Sequence, residues 1–308
     1  MYFLNALPGA VAQGLIWGLM AIGVYISYKI LDIADLTVDG SICTGACVCA
    51  VLIGMGVPAW VSVLVALLAG AITGVVTGLL HTRLGIPSIL AGILTQLMLY
   101  TVNLMILKGK SLLAIDPRVN KLLVMQSDNT GSIISLVIIA AITIIALYKF
   151  FYTEIGLTLK STGDNPDMSR AQGVDVNRNK VIGLAIANGI VAMAGALLAQ
   201  YKGSANINDG RGAIVIGLAA IFIGLSISLK IKPNFVVSLI GVIGGGIIYY
   251  IVYNVVILMG LKTDYLKMLS ALIVALFLGI PYLKATYFTK HKDLHPSQIT
   301  IPGGDGNA

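Results

Sequence analysis

Apolar residues run along this chain in long uninterrupted blocks rather than in alternation with polar ones. The blocks fall at about 8–28, 39–56, 58–80, 87–107, 132–152, 180–201, 212–229, 234–259 and 265–285. A helix needs about 20 consecutive apolar residues to cross the hydrocarbon core of a bilayer. Most blocks reach that length, and the shorter ones read as broken or re-entrant helices. The pattern therefore predicts an all-α polytopic membrane protein with about 8–10 transmembrane helices. Residues 1–285 make up its transmembrane domain, and the tail 286–308, ending PGGDGNA, reads as a disordered extension.

The longest polar interval is Thr153 to Lys180, TEIGLTLKSTGDNPDMSRAQGVDVNRNK, with a membrane-length block on either side. Uncovered backbone groups and charges are costly in lipid, so the interval belongs outside it. Within it, Asn165 is a good helix N-cap, Pro166 suits the first helical position and Gly173 is a common helix stop. These signals predict a short exposed helix over roughly Pro166 to Gln172. A capped polar helix in a membrane loop is built to be held by another protein.

A second polar stretch, Asp32 to Ser41, carries three acids, Asp32, Asp35 and Asp39. It reads either as a plain cytoplasmic turn or as a broken helix whose polar groups approach a translocation path. Its context recurs. Tyr28-Lys29 leads through a polar stretch to Asp39-Gly40-Ser41 and an apolar block, and Tyr201-Lys202 leads through Asn208 to Asp209-Gly210 and another apolar block. An inverted repeat with two broken helices on opposite sides of the membrane would produce this order, and so would coincidence. Gln96, Asn103 and Asn188 stand alone inside apolar blocks, where polar side chains bond across helices or face a cavity. Candidate pathway residues are thus Asp35, Asp39, Ser41, Gln96, Asn103, Asn188, Asn208 and Asp209. Gly70, Gly74 and Gly78 form a small-residue seam, and Gly241, Gly244, Gly245 and Gly246 thin a later block; both suit close helix packing or a substrate path.

Composition agrees with the pattern. Hydrophobic residues make up 57% of the chain and charged residues 11%, with a mean hydropathy of +0.94. A soluble domain carries roughly 25% charged residues. The net charge of +7 and pI of 9.2 do not point to nucleic acid, because the basic residues are scattered among loops. With 153–180 in the cytoplasm, twelve Lys and Arg fall inside and eight outside, which supports that orientation and places the N-terminus outside and the C-terminus inside. No Lys or Arg precedes Lys29, so the first block is expected to be a retained span rather than a signal peptide. Cys43, Cys47 and Cys49 read as small packing residues, since too few other ligands lie nearby for a metal site.

Catalytic chemistry is missing from the sequence. There is no Ser/His/Asp set and no metal-ligand spacing. Lys108-Gly109-Lys110-Ser111 looks like the end of a phosphate-binding loop, but the glycine required five residues before Gly109 is Leu104. The chain is therefore expected to be no enzyme and to bind no cofactor; ATP, if it powers transport, is used by another subunit.

Taken together, Gly156-x-x-x-Lys160-x-x-Gly163-Asp164-Asn165 with Arg170 and Gly173-Val174-Asp175-Val176 resembles the cytoplasmic loop of the permease subunits of bacterial ATP-binding cassette importers of the branched-chain amino acid and ribose type. The stretch GIVAMAG at Gly189 to Gly195 is similar to that family too, and the resemblance spans about residues 8–285. It implies that Gly163, Asn165, Asp167, Arg170 and Gly173 belong to a coupling helix that docks on the ATPase. Asp167-Met168 departs from the small residues that relatives often carry there. The form Asp35-Leu36-Thr37-Val38-Asp39-Gly40 resembles a subgroup associated with tryptophan or tyrosine. The resemblance implies alternating access in the bacterial cytoplasmic membrane. Its partners would be an ABC ATPase subunit, an extracellular substrate-binding lipoprotein, and a second permease completing a homodimer within the lipid bilayer. A sugar or nucleoside permease shares the fold, and an ion-coupled secondary transporter is the alternative from another class.

Overall fold

Helices dominate the computed structural model, which describes residues 2–116, 122–228 and 234–258, together with the helical positions Met268, Ala271, Leu272 and Ala275. The chain runs α1 (Tyr2–Tyr25), a π-helical extension (Ile26–Ile30), α2 (Val38–Gly54), α3 (Ala59–Thr82), α4 (Ser88–Ile106), β1 (Leu112–Ala114), α5 (Asn129–Phe151), α6 (Glu154–Asp164), α7 (Pro166–Ala171), α8 (Val176–Lys202), β2 (Ser204–Asn206), α9 (Ala213–Ser228) and α10 (Phe235–Leu258). Six of these helices are long and apolar enough to cross a membrane, and α2 and α9 are apolar but shorter. The protein is a multi-pass membrane protein. The expected span 265–285 and tail 286–308 lie outside the described residues, those four positions apart.

Helix α8 is the axis of the bundle. From Ala187 to Tyr201 every residue is buried. Helix α1 runs antiparallel to it: Tyr201 Oη donates to the Gly9 carbonyl at 3.5 Å, Gly23 lies against Ala187 and Val191, and Gly183 meets Leu31. Helix α2 runs parallel, with Ser41 bonded to Asn188 and Cys49 to Gln200.

The seam Gly70-Gly74-Gly78 on α3 explains the closest approach. A Cβ at Gly74 would strike the Leu184 carbonyl, and one at Gly78 would sit 2.9 Å from the Val181 Cα. Of the two readings open for these glycines, packing is the one realised. Gly241, Gly245 and Gly246 do the same for α10 against Gly224, Ala220 and Gly18, while Gly244 faces open space. Backbone cannot yield to an added side chain. Gly74→Val is therefore expected to cost about 1–3 kcal/mol or more through overpacking, read as a lower unfolding temperature in detergent.

The same order of elements occurs twice. A long helix, a non-helical return, a short helix and a long helix appear as α1 to α3 and again as α8 to α10. The short members have 17 and 16 residues. At 1.5 Å per residue they span roughly 25 Å, less than the roughly 30 Å of a bilayer core. Helix α3 packs on α8 as α10 packs on α1, so each unit closes on the first helix of the other. Two elements were not foreseen. The polar interval holds a second helix, α6, whose Thr153 cap accepts from Gly156 N, and β1 pairs antiparallel with β2.

Candidate functional site

The two non-helical returns start at opposite ends of the bundle and meet near its middle. Residues 31–37 leave the end of α1 beside Gly163 and Gly183 and run back into the bundle. There Asp35 is 2% exposed. Its Oδ2 accepts from Asn188 Nδ2 at 2.6 Å, and its Oδ1 from Thr37 N at 2.9 Å. Asn188 stands at the midpoint of α8, fully buried, and its Oδ1 accepts from Ser41 Oγ at 2.6 Å. Ser41 pairs with Thr73 at 2.7 Å, and Thr37 pairs with Thr77, which donates to Thr95. Three sequence candidates, Asp35, Ser41 and Asn188, thus form one buried network rather than a surface open to substrate. In the described structure the carboxylate is satisfied by neutral donors alone. Of the two readings of residues 32–41, the plain turn does not fit this burial.

Residues 203–212 leave the other end of α8 and come back to Asp39, in the first turn of α2. Asp39 Oδ2 accepts from Gly212 N at 2.9 Å and Oδ1 from Ile214 N at 3.0 Å. Gly210 N donates to Cys43 Sγ, and Cys43 in turn donates to the Ile207 carbonyl. Asp39 therefore ties the start of α2 to the start of α9. The two stretches begin at opposite ends, as the repeat predicts, but they converge on one point. Asn208 does not reach it: it is exposed in the turn before α9. Asp209 pairs with Lys202 at 3.1 Å, one residue before the Gly210 that touches Asp39 and Cys43.

Beside Asp39 is a cavity of about 330 Å³ between α2, α4 and the 203–212 return. It gathers Asp39, Gln96 and Asn103 from the sequence candidates and adds Tyr100 and Arg211, which sequence reasoning missed. Arg211 follows the Asp209-Gly210 pair directly, and that adjacency was a usable signal. The threonines of the buried network were legible too: Thr73 and Thr77 each stand one residue before a glycine of the α3 seam. Cys43, Cys47 and Cys49 are buried free thiols. Among the described residues no group of three or more His, Cys, Asp or Glu converges.

The polar interval folds into a platform at the Val176 end of α8. Asn179 Nδ2 donates to Thr162 Oγ1 at 3.0 Å, and Lys160 Nζ lies 4.5 Å from the centre of the Phe235 ring. Gly163 is pressed on the Ile30 carbonyl. It is half-buried there, with its Cα turned toward the end of α1. Asn165 caps α7, its Oδ1 accepting from Met168 N at 2.9 Å, and Gly173 has φ +82°, a left-handed stop that favours glycine. Asp167 and Arg170 pair at 3.2 Å on the outer face with Met168, 59% exposed, between them. Ser169 points the other way and is buried on Ser161.

Comparison with known proteins agrees with this architecture. The family described as the permease component of branched-chain amino acid transport systems matches residues 7–280. A tyrosine transport system permease protein of Clostridioides difficile is 35% identical over 279 residues, covering 90% of this chain and 91% of the relative. An uncharacterised protein of Rickettsia prowazekii is 32% identical, covering 91% of this chain and 99% of the relative. A xylose transport system permease protein of Haemophilus influenzae is 28% identical over 98 residues, 32% of this chain and 26% of the relative. No solved structure matches the chain.

Proposed function

The chain belongs to the permease-component family of branched-chain amino acid transport systems, and from that premise we propose that it imports an amino acid with an aromatic side chain, tyrosine or tryptophan, across the bacterial cytoplasmic membrane. As a permease component it is the membrane subunit of a transporter and not an enzyme, and its family works with ATPase partners. The single observation that carries the coupling part of the reading is the platform of α6 and α7. It is pinned to the ends of α1 and α8, and it presents Asp167, Met168 and Arg170 outward.

In this reading two copies of the chain form the pathway, and two ATPase subunits grip their α7 helices from the cytoplasm. ATP binds to those subunits and not to this chain. A substrate-binding lipoprotein delivers the ligand outside. ATPase closure pushes α7, and because Gly163 seats α6 on Ile30, the push reaches the end of α1 and the 31–37 return. Asp39 then carries motion between the two returns and α9. The aromatic substrate is supported by the name of the Clostridioides difficile relative. A sugar substrate has the shorter match to the xylose permease in its favour.

Copurification and crosslinking test the reading. Met168→Cys should crosslink to an associated ATPase, and Met168→Glu should weaken ATPase capture while leaving the permease in the membrane. The Asp167–Arg170 pair is exposed and worth only about 0–1 kcal/mol to the fold. Loss of ATPase capture on Arg170→Ala would therefore report docking, not unfolding. Labelling of the Met168→Cys thiol from outside in intact cells would overturn the topology. Uptake of ribose or a nucleoside but of no amino acid, by the complex reconstituted with its binding protein, would overturn the substrate.

A further inference from the structure

The open faces of the bundle differ in character. Leu64, Leu68 and Ile72 project from α3, and Ile138, Ile142 and Ile145 from α5, as suits contact with lipid tails. The face where α2, α4 and the 203–212 return meet is different, because its cavity carries Asp39, Gln96, Tyr100, Asn103 and Arg211. Asp39 lies about half a turn from Ser41, which bonds to the midpoint of α8, so this carboxylate sits deep in the membrane-spanning bundle. Ionic side chains at such depth face water or protein rather than lipid. This face therefore borders the translocation path.

The chemistry of the cavity is specific. Arg211 is exposed and, among the described residues, forms no salt bridge. Asn103 is 1% exposed, lines the cavity, and has a buried Oδ1 without a hydrogen-bond partner. A buried acceptor left unmade is costly, so its retention points to a donor that arrives from elsewhere. Asp39 accepts two backbone N–H bonds, yet a carboxylate has about four acceptor positions and keeps room for a cation. A cation from the 203–212 return, a carboxylate from α2 and a free carbonyl from α4 around one cavity match a ligand that carries both charges. A sugar offers hydroxyls and calls for no such pair. The Tyr100 ring, 44% exposed, gives a flat apolar surface beside them.

We infer that this cavity holds the substrate as a zwitterion. Arg211 takes the α-carboxylate, the Asn103 carbonyl and the Asp39 carboxylate take the α-ammonium, and the Tyr100 ring flanks the side chain. The inference rests on the reading of the chain as an amino-acid permease.

The test uses the complete permease–ATPase complex in proteoliposomes with its binding protein, supplied with L-tyrosine and L-tryptophan. Whichever is imported is then titrated directly onto the complex without the binding protein, in competition with its decarboxylated amine. Arg211→Gln should weaken binding of the amino acid by roughly 10- to 100-fold, the range for a lost charge-assisted hydrogen bond. It should leave the amine's much weaker binding nearly unchanged, and Arg211→Lys should restore part of the loss. Asn103→Leu removes a buried unsatisfied group, so it should keep or raise the unfolding temperature and still lower uptake about tenfold. Equal losses for amino acid and amine in Arg211→Gln, or normal uptake by Asn103→Leu, would overturn the zwitterion site while leaving amino-acid import standing. A wild-type complex that imports no amino acid would overturn both.

Discussion

Asn188→Leu is expected to lower the stability of the permease by roughly 3–5 kcal/mol, the usual cost of stranding a buried charge. Asn188 donates one of the hydrogen bonds that hold the Asp35 carboxylate, at 2.6 Å, and leucine cannot. It also accepts from Ser41, so the same change leaves that hydroxyl short of a partner. With Asp35 2% exposed, water cannot step in. The double variant Asp35→Leu/Asn188→Leu should recover part of the loss, because it removes the stranded carboxylate while Thr37 N and Ser41 Oγ each still lose one partner. Thermal unfolding of the four proteins in detergent gives the coupling as a double-mutant cycle. A single variant that unfolds at the wild-type temperature would show that this network does not hold the 31–37 return in place.

Gly163→Val should disconnect ATP hydrolysis from transport. The glycine lies on the Ile30 carbonyl, and a Cβ there meets backbone that cannot move aside. Overpacking of this kind costs about 1–3 kcal/mol, which is roughly 10- to 100-fold in the equilibrium between a seated and a lifted α6. The transmembrane helices do not depend on that contact, so the protein should still reach the membrane and still bind ATPase through the exposed face of α7. Uptake per ATP hydrolysed should fall about tenfold or more on the same scale. If Gly163→Val transports with normal coupling, α6 does not relay motion to α1. Gly163 is turned toward the end of α1, while Asp167 and Arg170 face out.

Much of this protein could be read from its residues in order. Continuous apolar blocks located the eight apolar helices among the described residues, since a chain entering lipid must satisfy its backbone within each span. Asn165, Pro166 and Gly173 marked α7, because capping is decided by neighbours three residues apart, and the helix found, Pro166–Ala171, differs from the expected range by one residue. The second helix of the polar interval escaped notice. Its buried face is Gly156, Leu159 and Thr162, with only one large apolar side chain, and it is held by contacts from Ile30, Phe151 and Asn179. A strand pair of three residues each was equally hidden, since β1 and β2 are about 90 positions apart and only the packed chain brings them together.

The candidate site divides along the same line. Local order was enough to pick out Asp35, Asp39, Ser41, Gln96, Asn103 and Asn188 as polar groups with no business in lipid. It could not sort them, because depth and partner are long-range quantities. Folding placed Asp35, Ser41 and Asn188, up to 153 positions apart, in a sealed network. It placed Asp39, Gln96 and Asn103 on a cavity with Arg211, left Asn208 exposed in the turn before α9, and paired Asp209 with Lys202. The twofold order of long helix, return and short helix was visible in the sequence as a Tyr-Lys to Asp-Gly echo. The meeting of the two returns at one carboxylate was not, because a hydrogen bond between Asp39 and Gly212 is written in the packing of α2 on α8 and nowhere in the neighbourhood of either residue.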